Sequence, residues 1–579
     1  MDKGIILNWD LSSLYENEAL LEADLKDAAA RAKSFESVYK GKLKELHVNE
    51  FLESIREYEA INEKLGRIMT YAFLKFATNS DNGGFYAKYQ QAHTNIAENL
   101  LFFELEFNKL SKPKQEEFIA SSSMYKYYLE SLMEEKPYQL SQKEERILLK
   151  KEMTSASAFS RLFDEHFSRM KFVYEGQKLS EEEILSKLQD ADREVRKKAA
   201  SAFTKGLKPH QPLLAYIFNM IKTDLASDCE LRGYKNAEQP RHMDNKITQK
   251  SVDALIKSAE SSFHLVQEYY EQKAKLLGLE ELFEYDRYAP LEASSSKYDF
   301  ETSKHIVLDA FKKFNPKFYE IASLAFEKGW IDVFPKDKKR GGAFSHPATP
   351  STHPYVLLNH TDTRRDLFTL AHELGHAIHQ YLSRDVGYLG SDTPLTTSET
   401  ASVFAEMLVF DAIKDGLSAT EKCSLYASKI EDIFSTLYRQ INFTTFERKV
   451  HAHEGELDLA TFNNYWMQES QKMFGKSITL SKDYTMWWSY IPHFIHSPFY
   501  CYAYSYGQLL VLALYGLYKK SDKVTFVQNY INFLSAGGSQ SPKELIKHFG
   551  FDIEDEHFWQ LGISEIESLL KEFKGMCDA

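Results

Sequence analysis

The chain has 579 residues, with 71 Lys and Arg against 84 Asp and Glu for a formal charge of −13, and 43% of it is hydrophobic. No sustained basic stripe is present, which argues against a nucleic-acid partner, and 34 Tyr with 40 Phe argue against disorder. Gly 25 and Pro 15 together make up a share well below the usual value of about 12%, so the chain reads as mainly helical, in two to four lobes at roughly 100–200 residues each.

The first seven residues, Met1 to Leu7, hold an apolar run too short for a signal peptide. The helical pattern then begins. Phe51, Ile55, Tyr58, Ile61, Leu65 and Met69 recur at three- and four-residue steps and predict one long helix over 46–76. The Gly83-Gly84 pair separates it from a second long helix over 85–110, and a third is expected over 141–167, entered through Pro137 and Ser141. Met170 to Leu179 alternates around a turn and predicts a small hairpin. Pro209 and Pro212 mark a boundary near 190–210, giving an N-terminal helical lobe (1–195) and a second domain (196–579).

Helices resume to about residue 330, with Pro290 and the serine run 294–296 as loops. Residues 335–362 then carry Pro335, Gly341, Gly342, Pro347, Pro350 and Pro354, and within them 343–345 and 355–359 read as two short strands. Lys336, Lys338, Lys339 and Arg340 form a short basic run that reads as a solvated loop. Cys229, Cys423, Cys501 and Cys577 are few and far apart, as in a reducing compartment. No apolar run reaches about 18 residues, the length of a membrane span. A soluble, cytoplasmic protein with no membrane partner is expected.

A helix over 363–382, capped by Asp362 or Thr363, contains His372-Glu373-Leu374-Gly375-His376. Histidines four apart share a helix face and reach one metal ion. Glu373 projects beside that ion, where it serves as a general base in metal-assisted hydrolysis. Chance produces such a motif about 0.06 times in a chain of this composition. Catalytic zinc takes three protein ligands, and the third candidate is Glu399, at the start of a helix over 399–415 after a flexible stretch 383–398 bearing Gly387 and Gly390. Thr396-x-x-Glu399 also matches a capping box, which is the competing reading of this glutamate. Ser402 and Glu406 lie on the same face, and Glu406 reads equally as a group that fixes the tautomer of a ligand histidine or as a buried structural carboxylate.

These residues carry a resemblance. The stretch His372 to Gln380, followed by Thr397-Ser398-Glu399-Thr400-Ala401-Ser402-Val403-Phe404-Ala405-Glu406 and preceded by Arg340-Gly341-Gly342-Ala343-Phe344, resembles the oligoendopeptidase F branch of the thimet-oligopeptidase-like zinc metallopeptidases. The resemblance implies a mainly α, two-lobed fold with a deep central channel, a small β-sheet beside the zinc-binding helix, and one Zn²⁺ per chain. It implies cleavage of internal bonds in short unstructured peptides. It also draws in the segment from Trp487 to Gly507, where relatives place a histidine ahead of a helix and zinc-facing tyrosines on it. Matched residue by residue, these are His493, Tyr500 and Tyr504 as oxyanion donors. Ser497-Pro498 reads as the helix start. Four tyrosines stand at two-residue steps, so Tyr502 and Tyr506 stay open as alternatives, as does His496 in place of His493.

The strand at 355–359 reads equally as ordinary sheet or as an edge for substrate backbone, and the resemblance favours the edge. His451-Ala452-His453-Glu454 looks metal-like but ends a helical stretch beginning near Ala419, where histidines are favoured by the helix dipole. A zinc carboxypeptidase on a similar helical fold, or a peptide-binding protein without catalysis, are the competing functions.

Overall fold

Burial of one apolar stripe builds the first long helix, Val48–Thr78, whose Phe51, Ile55, Tyr58, Ile61 and Leu65 face inward. The computed structural model describes residues 7–291 and 297–577; Met1 to Ile6 and the serine run 294–296 lie outside them. Two of the expected long helices are each broken in two. Gly83–Ala97 is separate from Phe102–Lys109. Asn99 accounts for the break, because its amide donates to the carbonyls of Asn95 and Ile96 in competition with the helix ladder. Gln142–Glu152 ends before Ala156–Arg169, where the hydroxyls of Thr154 and Ser155 donate to Lys151 and Glu152 carbonyls. Gly83 and Gly84 open a helix, and the separator is the turn Ser80–Asn82.

The chain forms two compact units, each from three stretches: Met1–Lys136, Ser295–Asp415 and Lys520–Gly550 in one, Pro137–Ser294, Gly416–Lys519 and Phe551–Ala579 in the other. They cut across the expected division into 1–195 and 196–579. At the expected boundary, Lys208–His210 is a single tight turn leading directly into Gln211–Arg232, with Pro212 in its first turn where a missing N–H costs nothing.

In the first unit, Phe35, Phe51, Phe103, Phe107 and Phe118 build an aromatic core, with Phe51 stacked on Phe118 at 3.9 Å. A three-stranded sheet joins Ile331–Asp332, Tyr355–Leu357 and Phe344–His346, in that spatial order. The middle strand runs parallel to the first and antiparallel to the last, with Ser345 opposite Val356. Ile331–Asp332, only two residues long, had no alternation to reveal it. Because Tyr355–Leu357 is buried and paired on both sides, it cannot offer the edge expected of it. The outer strands are Ile331–Asp332 and Phe344–His346. Ser345 faces outward there, its carbonyl accepting from Gln380 Nε2 at 3.1 Å while its hydroxyl donates to Gln380 Oε1 at 2.7 Å.

Gln380 lies on the helix Arg364–Leu382, capped by Thr363 in a reciprocal box with Asp366. The stretch after it is not an open loop. It folds as short helical turns, Ser383–Val386, Tyr388–Ser391 and Leu395–Ser398. Glu59 ties them down by accepting from the Leu389 N–H at 3.1 Å. Gly387 adopts φ +81°, and a Cβ there would meet Glu59 Oε1 at 2.5 Å. The helix Thr400–Ile413 follows.

The second unit holds the expected hairpin, Phe172–Tyr174 with Gln177–Leu179, turning through Glu175 and Gly176 at positive φ. Its core gathers Phe218, Phe446, Trp466, Trp487, Trp488 and Phe494. The stretch from Ala419 breaks at Leu437 into Ala419–Thr436 and Tyr438–Ala452. Among the described residues Cys229, Cys423 and Cys501 are free thiols, and no helix is long and apolar enough to cross a membrane.

Candidate metal centre

Two helices of the first unit build the centre. His372 and His376 stand one turn apart on Arg364–Leu382, ring centroids 4.8 Å from each other. Glu399 caps the neighbouring helix Thr400–Ile413 with its backbone, and its carboxylate makes no capping bond. That carboxylate turns to the histidines instead: Oε2 lies 3.4 Å from His372 Nε2 and 3.4 Å from His376 Nε2. The donor atoms of all three residues fall within 4.8 Å of one another. Bonds of about 2.0–2.1 Å to a shared ion put tetrahedral donors about 3.4 Å apart, so the spacing fits a metal of zinc's size.

The helices can approach this closely because Gly375 is at the crossing. A Cβ there would lie 2.5 Å from the Ala401 carbonyl oxygen and 2.6 Å from Ser402 Cα. Glu406 sits one helix turn further and accepts from His372 Nδ1 at 2.6 Å, which leaves Nε2 as the free lone pair on the Glu399 side. Ser402 Oγ donates to Glu399 Oε2 at 2.7 Å.

The electrostatics follow from burial and mutual charge. Burial works against a charged His372, but the bond and charge of Glu406, with Glu399 behind, outweigh it and push the imidazole up to about 9. A metal ion held at Nε2 would take the place of that proton. Burial likewise opposes Glu399, yet His376, His372 and Ser402 hold it down to about 2. Glu373 is 6% exposed, and burial raises its pKa against the pull of the two histidines. A cavity of about 1110 Å³ opens on this group, lined by His372, Glu373, His376 and Glu399 together with Phe73, Tyr86, Phe344 and His346.

The other expected residues lie in the second unit, where they form a face of their own. The helix begins at Tyr502, not at Ser497. Phe499 adopts φ +57°, and its N–H donates to the buried carboxylate of Glu447 at 2.8 Å, which stops the helix from starting there. Tyr500 therefore precedes the helix, yet its ring lies 5.1 Å from Tyr504 and 6.2 Å from His493. His493 Nε2 is 3.4 Å from the Tyr504 hydroxyl. All three are partly exposed, whereas Tyr502 and Tyr506 are buried. Tyr502 bonds His242 Nδ1 at 2.8 Å, and Tyr506 packs on Trp559. His496 pairs with Asp164 at 2.8 Å instead of joining the face. His451 is buried on Phe499 and pushed down to about 3 by desolvation, and His453 bonds the Tyr465 hydroxyl, a structural pair as the sequence implied.

The peptidase family M3 model matches residues 186–565, and an oligopeptidase F model matches 106–172. The chain belongs to peptidase family M3. It is thus a metallopeptidase acting on peptide bonds. It is 29% identical to oligopeptidase PepF of Bacillus subtilis over 93% of this chain and 83% of that protein. It is 28% identical to an oligoendopeptidase F homolog of Borreliella burgdorferi over 98% and 97%. A solved structure from Chlamydophila abortus, described provisionally as a peptidase, superposes with a TM-score of 0.89 at 25% identity over 98% of both chains.

For this family M3 chain, sequence reasoning missed three contributors. Gly375 had a signal, a glycine inside a helix at a cost of about 1 kcal/mol relative to alanine. The hydroxyl of Ser402 on Glu399 was readable only as a shared face. In the aromatic wall, where Phe73 lies 5.6 Å from Phe344 and 5.4 Å from His346, only Phe344 had a signal, in the stretch Arg340 to Phe344, because Phe73 comes from a distant helix.

Proposed function

We propose that the protein is a zinc-dependent endopeptidase of short, unstructured peptides, with one Zn²⁺ held by His372, His376 and Glu399. The convergence of two imidazole nitrogens on one carboxylate oxygen at 3.4 Å, with Glu373 beside them, carries this reading. Bound there, the ion supplies a Lewis acid for the scissile carbonyl and makes water acidic enough to attack near neutral pH.

The side chains do the rest. Glu373 accepts a proton from the attacking water and hands it to the nitrogen of the leaving amine, and its burial supports that role by making the carboxylate more basic than usual. His493 and Tyr500 or Tyr504 donate to the oxyanion, and such a donor contributes about a hundredfold or more in rate. Substrate backbone pairs with the outer strand Phe344–His346 as an added strand, taking the place of the Gln380 amide at the Ser345 carbonyl and reading length and extension more than side chains. The names of the relatives, oligopeptidase and oligoendopeptidase, support short peptides as the substrate class.

The test is metal content and turnover of a quenched-fluorescence nonapeptide. Glu373→Gln retains the metal and loses cleavage at least a hundredfold, while His372→Ala loses both. Product masses show internal cuts, not single residues released from the C-terminus. A Glu373→Gln variant cleaving at the parental rate would overturn this mechanism.

A further inference from the structure

Two arginines of the second unit lack the partner that buried guanidiniums ordinarily have. Arg287 is 6% exposed, and Arg439 is partly exposed. Each has a buried Nε with no acceptor. Phenols surround them. Arg287 donates to the Tyr288 hydroxyl, and Arg439 donates to the Tyr490 hydroxyl at 2.8 Å. Tyr484, Tyr270 and Tyr490 complete the surroundings of Arg287, whose guanidinium lies 5.6 Å from the Tyr484 ring, and the groups beside Arg439 are again Tyr288, Tyr490 and Tyr484. The groups that act most strongly on the two guanidiniums include no Asp or Glu. Even an ionised Tyr288 leaves one positive charge uncompensated, and a desolvated cation without an anion is costly to maintain.

The location gives that charge a use. Arg439, Tyr288 and Tyr490 are partly exposed in an otherwise buried neighbourhood, as are His493 and Tyr504. Arg439 is near enough to His493 to help burial hold its imidazole below the ordinary value. Tyr490, which accepts from Arg439, ends the turn Lys482–Tyr490 immediately ahead of the short helix His493–His496, so the cation lies beside the His493–Tyr504 face.

We propose that Arg439, backed by Arg287, is a recognition site for a carboxylate of the bound peptide, either its C-terminal carboxylate or an acidic side chain. The proposal rests on the reading of the His493–Tyr504 face as part of a peptidase site. A guanidinium presents paired N–H donors to a carboxylate, and the phenols of Tyr288 and Tyr490 hold the fork in place.

The experiment uses the metal-loaded enzyme and three peptides of one sequence: free acid, C-terminal amide, and amide with Asp as its last residue. A charge-assisted pair predicts a KM about tenfold lower for a peptide carrying the recognised carboxylate. A low KM for the acid, for the Asp-bearing amide or for both supports the site and names the source. Equal KM for all three overturns it. Arg439→Gln, checked for folding by thermal melt, brings the acid-to-amide ratio of KM to about one, and Arg439→Lys partly restores it. If Arg439→Gln lowers kcat by the same factor for acid and amide and leaves the ratio intact, the arginine is structural and the proposal fails. If the parent enzyme turns over no peptide, the peptidase reading is what fails. Calorimetric binding of acid against amide then decides the carboxylate site on its own.

Discussion

Replacing Gly375 by alanine tests the packing behind the metal centre. Alanine is the better helix former by about 1 kcal/mol, so in an exposed helix this change stabilises. Gly84 is the control, since a Cβ there meets nothing within 4 Å, and Gly84→Ala should gain a few tenths to 1 kcal/mol. At Gly375 the added carbon would sit 2.5 Å from the Ala401 oxygen and 2.6 Å from Ser402 Cα, both backbone atoms. Ordinary carbon contacts need about 3.5 Å, so the two helices must part by about 1 Å. Overpacking of this kind costs about 1–3 kcal/mol, which exceeds the propensity gain and reverses the sign. The histidines ride on one helix and Glu399 on the other, so the 3.4 Å donor spacing widens with the crossing. Metal affinity should fall about tenfold or more, the scale of a disturbed ligand support. Thermal unfolding and chelator competition measure both effects. A Gly375→Ala protein as stable and as tight for metal as the parent would refute the reasoning.

Glu406→Gln removes the charge from the bond to His372 Nδ1 and should weaken metal binding about 10- to 100-fold with little change in fold, read by the same competition assay. Tyr504→Phe should lower kcat about a hundredfold or more with KM nearly constant, whereas Tyr502→Phe breaks the His242 bond and should lower thermal stability by about 1 kcal/mol; steady-state kinetics and melts separate the two. Burial holds Glu447 neutral, its pKa pushed up to about 8, above the usual carboxylate value of about 4.3 in an unfolded chain. The unfolded state alone gives up its proton between those values, so this stabilisation is whole below about pH 4 and is lost as pH rises toward 8, by at most about 1.4 kcal/mol per unit. Glu447→Gln should flatten the fall in stability between pH 5.5 and 7.5, and parallel melting curves for variant and parent would exclude the effect.

The metal helix was legible because its signal is local. Four-residue spacing puts His372 and His376 on one face whatever surrounds them, and Thr363 with Asp366 starts the helix as the pattern implies. Glu399 was legible by residue type and distance, but its competing role as a helix cap was excluded only by a crossing that depends on Gly375. The start of the tyrosine helix was misread for a long-range reason: Glu447, 52 residues upstream, takes the Phe499 N–H and overrides Ser497-Pro498. The strand edge was misassigned because a two-residue partner, Ile331–Asp332, covers one side of Tyr355–Leu357. Helices over 85–110 and 141–167 were overextended where Asn99, Thr154 and Ser155 bond to nearby carbonyls, a competition that periodicity does not register.

The threading of the first unit has a consequence for synthesis. Its last stretch, Lys520–Gly550, packs on the metal centre: Tyr530 donates to the Thr400 carbonyl at 2.8 Å and its ring lies 4.6 Å from that of Phe404. A nascent chain that has emerged only as far as residue 519 already carries both histidines, Glu373 and Glu399, yet lacks the helix Lys523–Ser535 that braces the Glu399-bearing helix. Domains generally fold as units once their parts are present, so the helix Thr400–Ile413 gains this brace only after synthesis has passed residue 535.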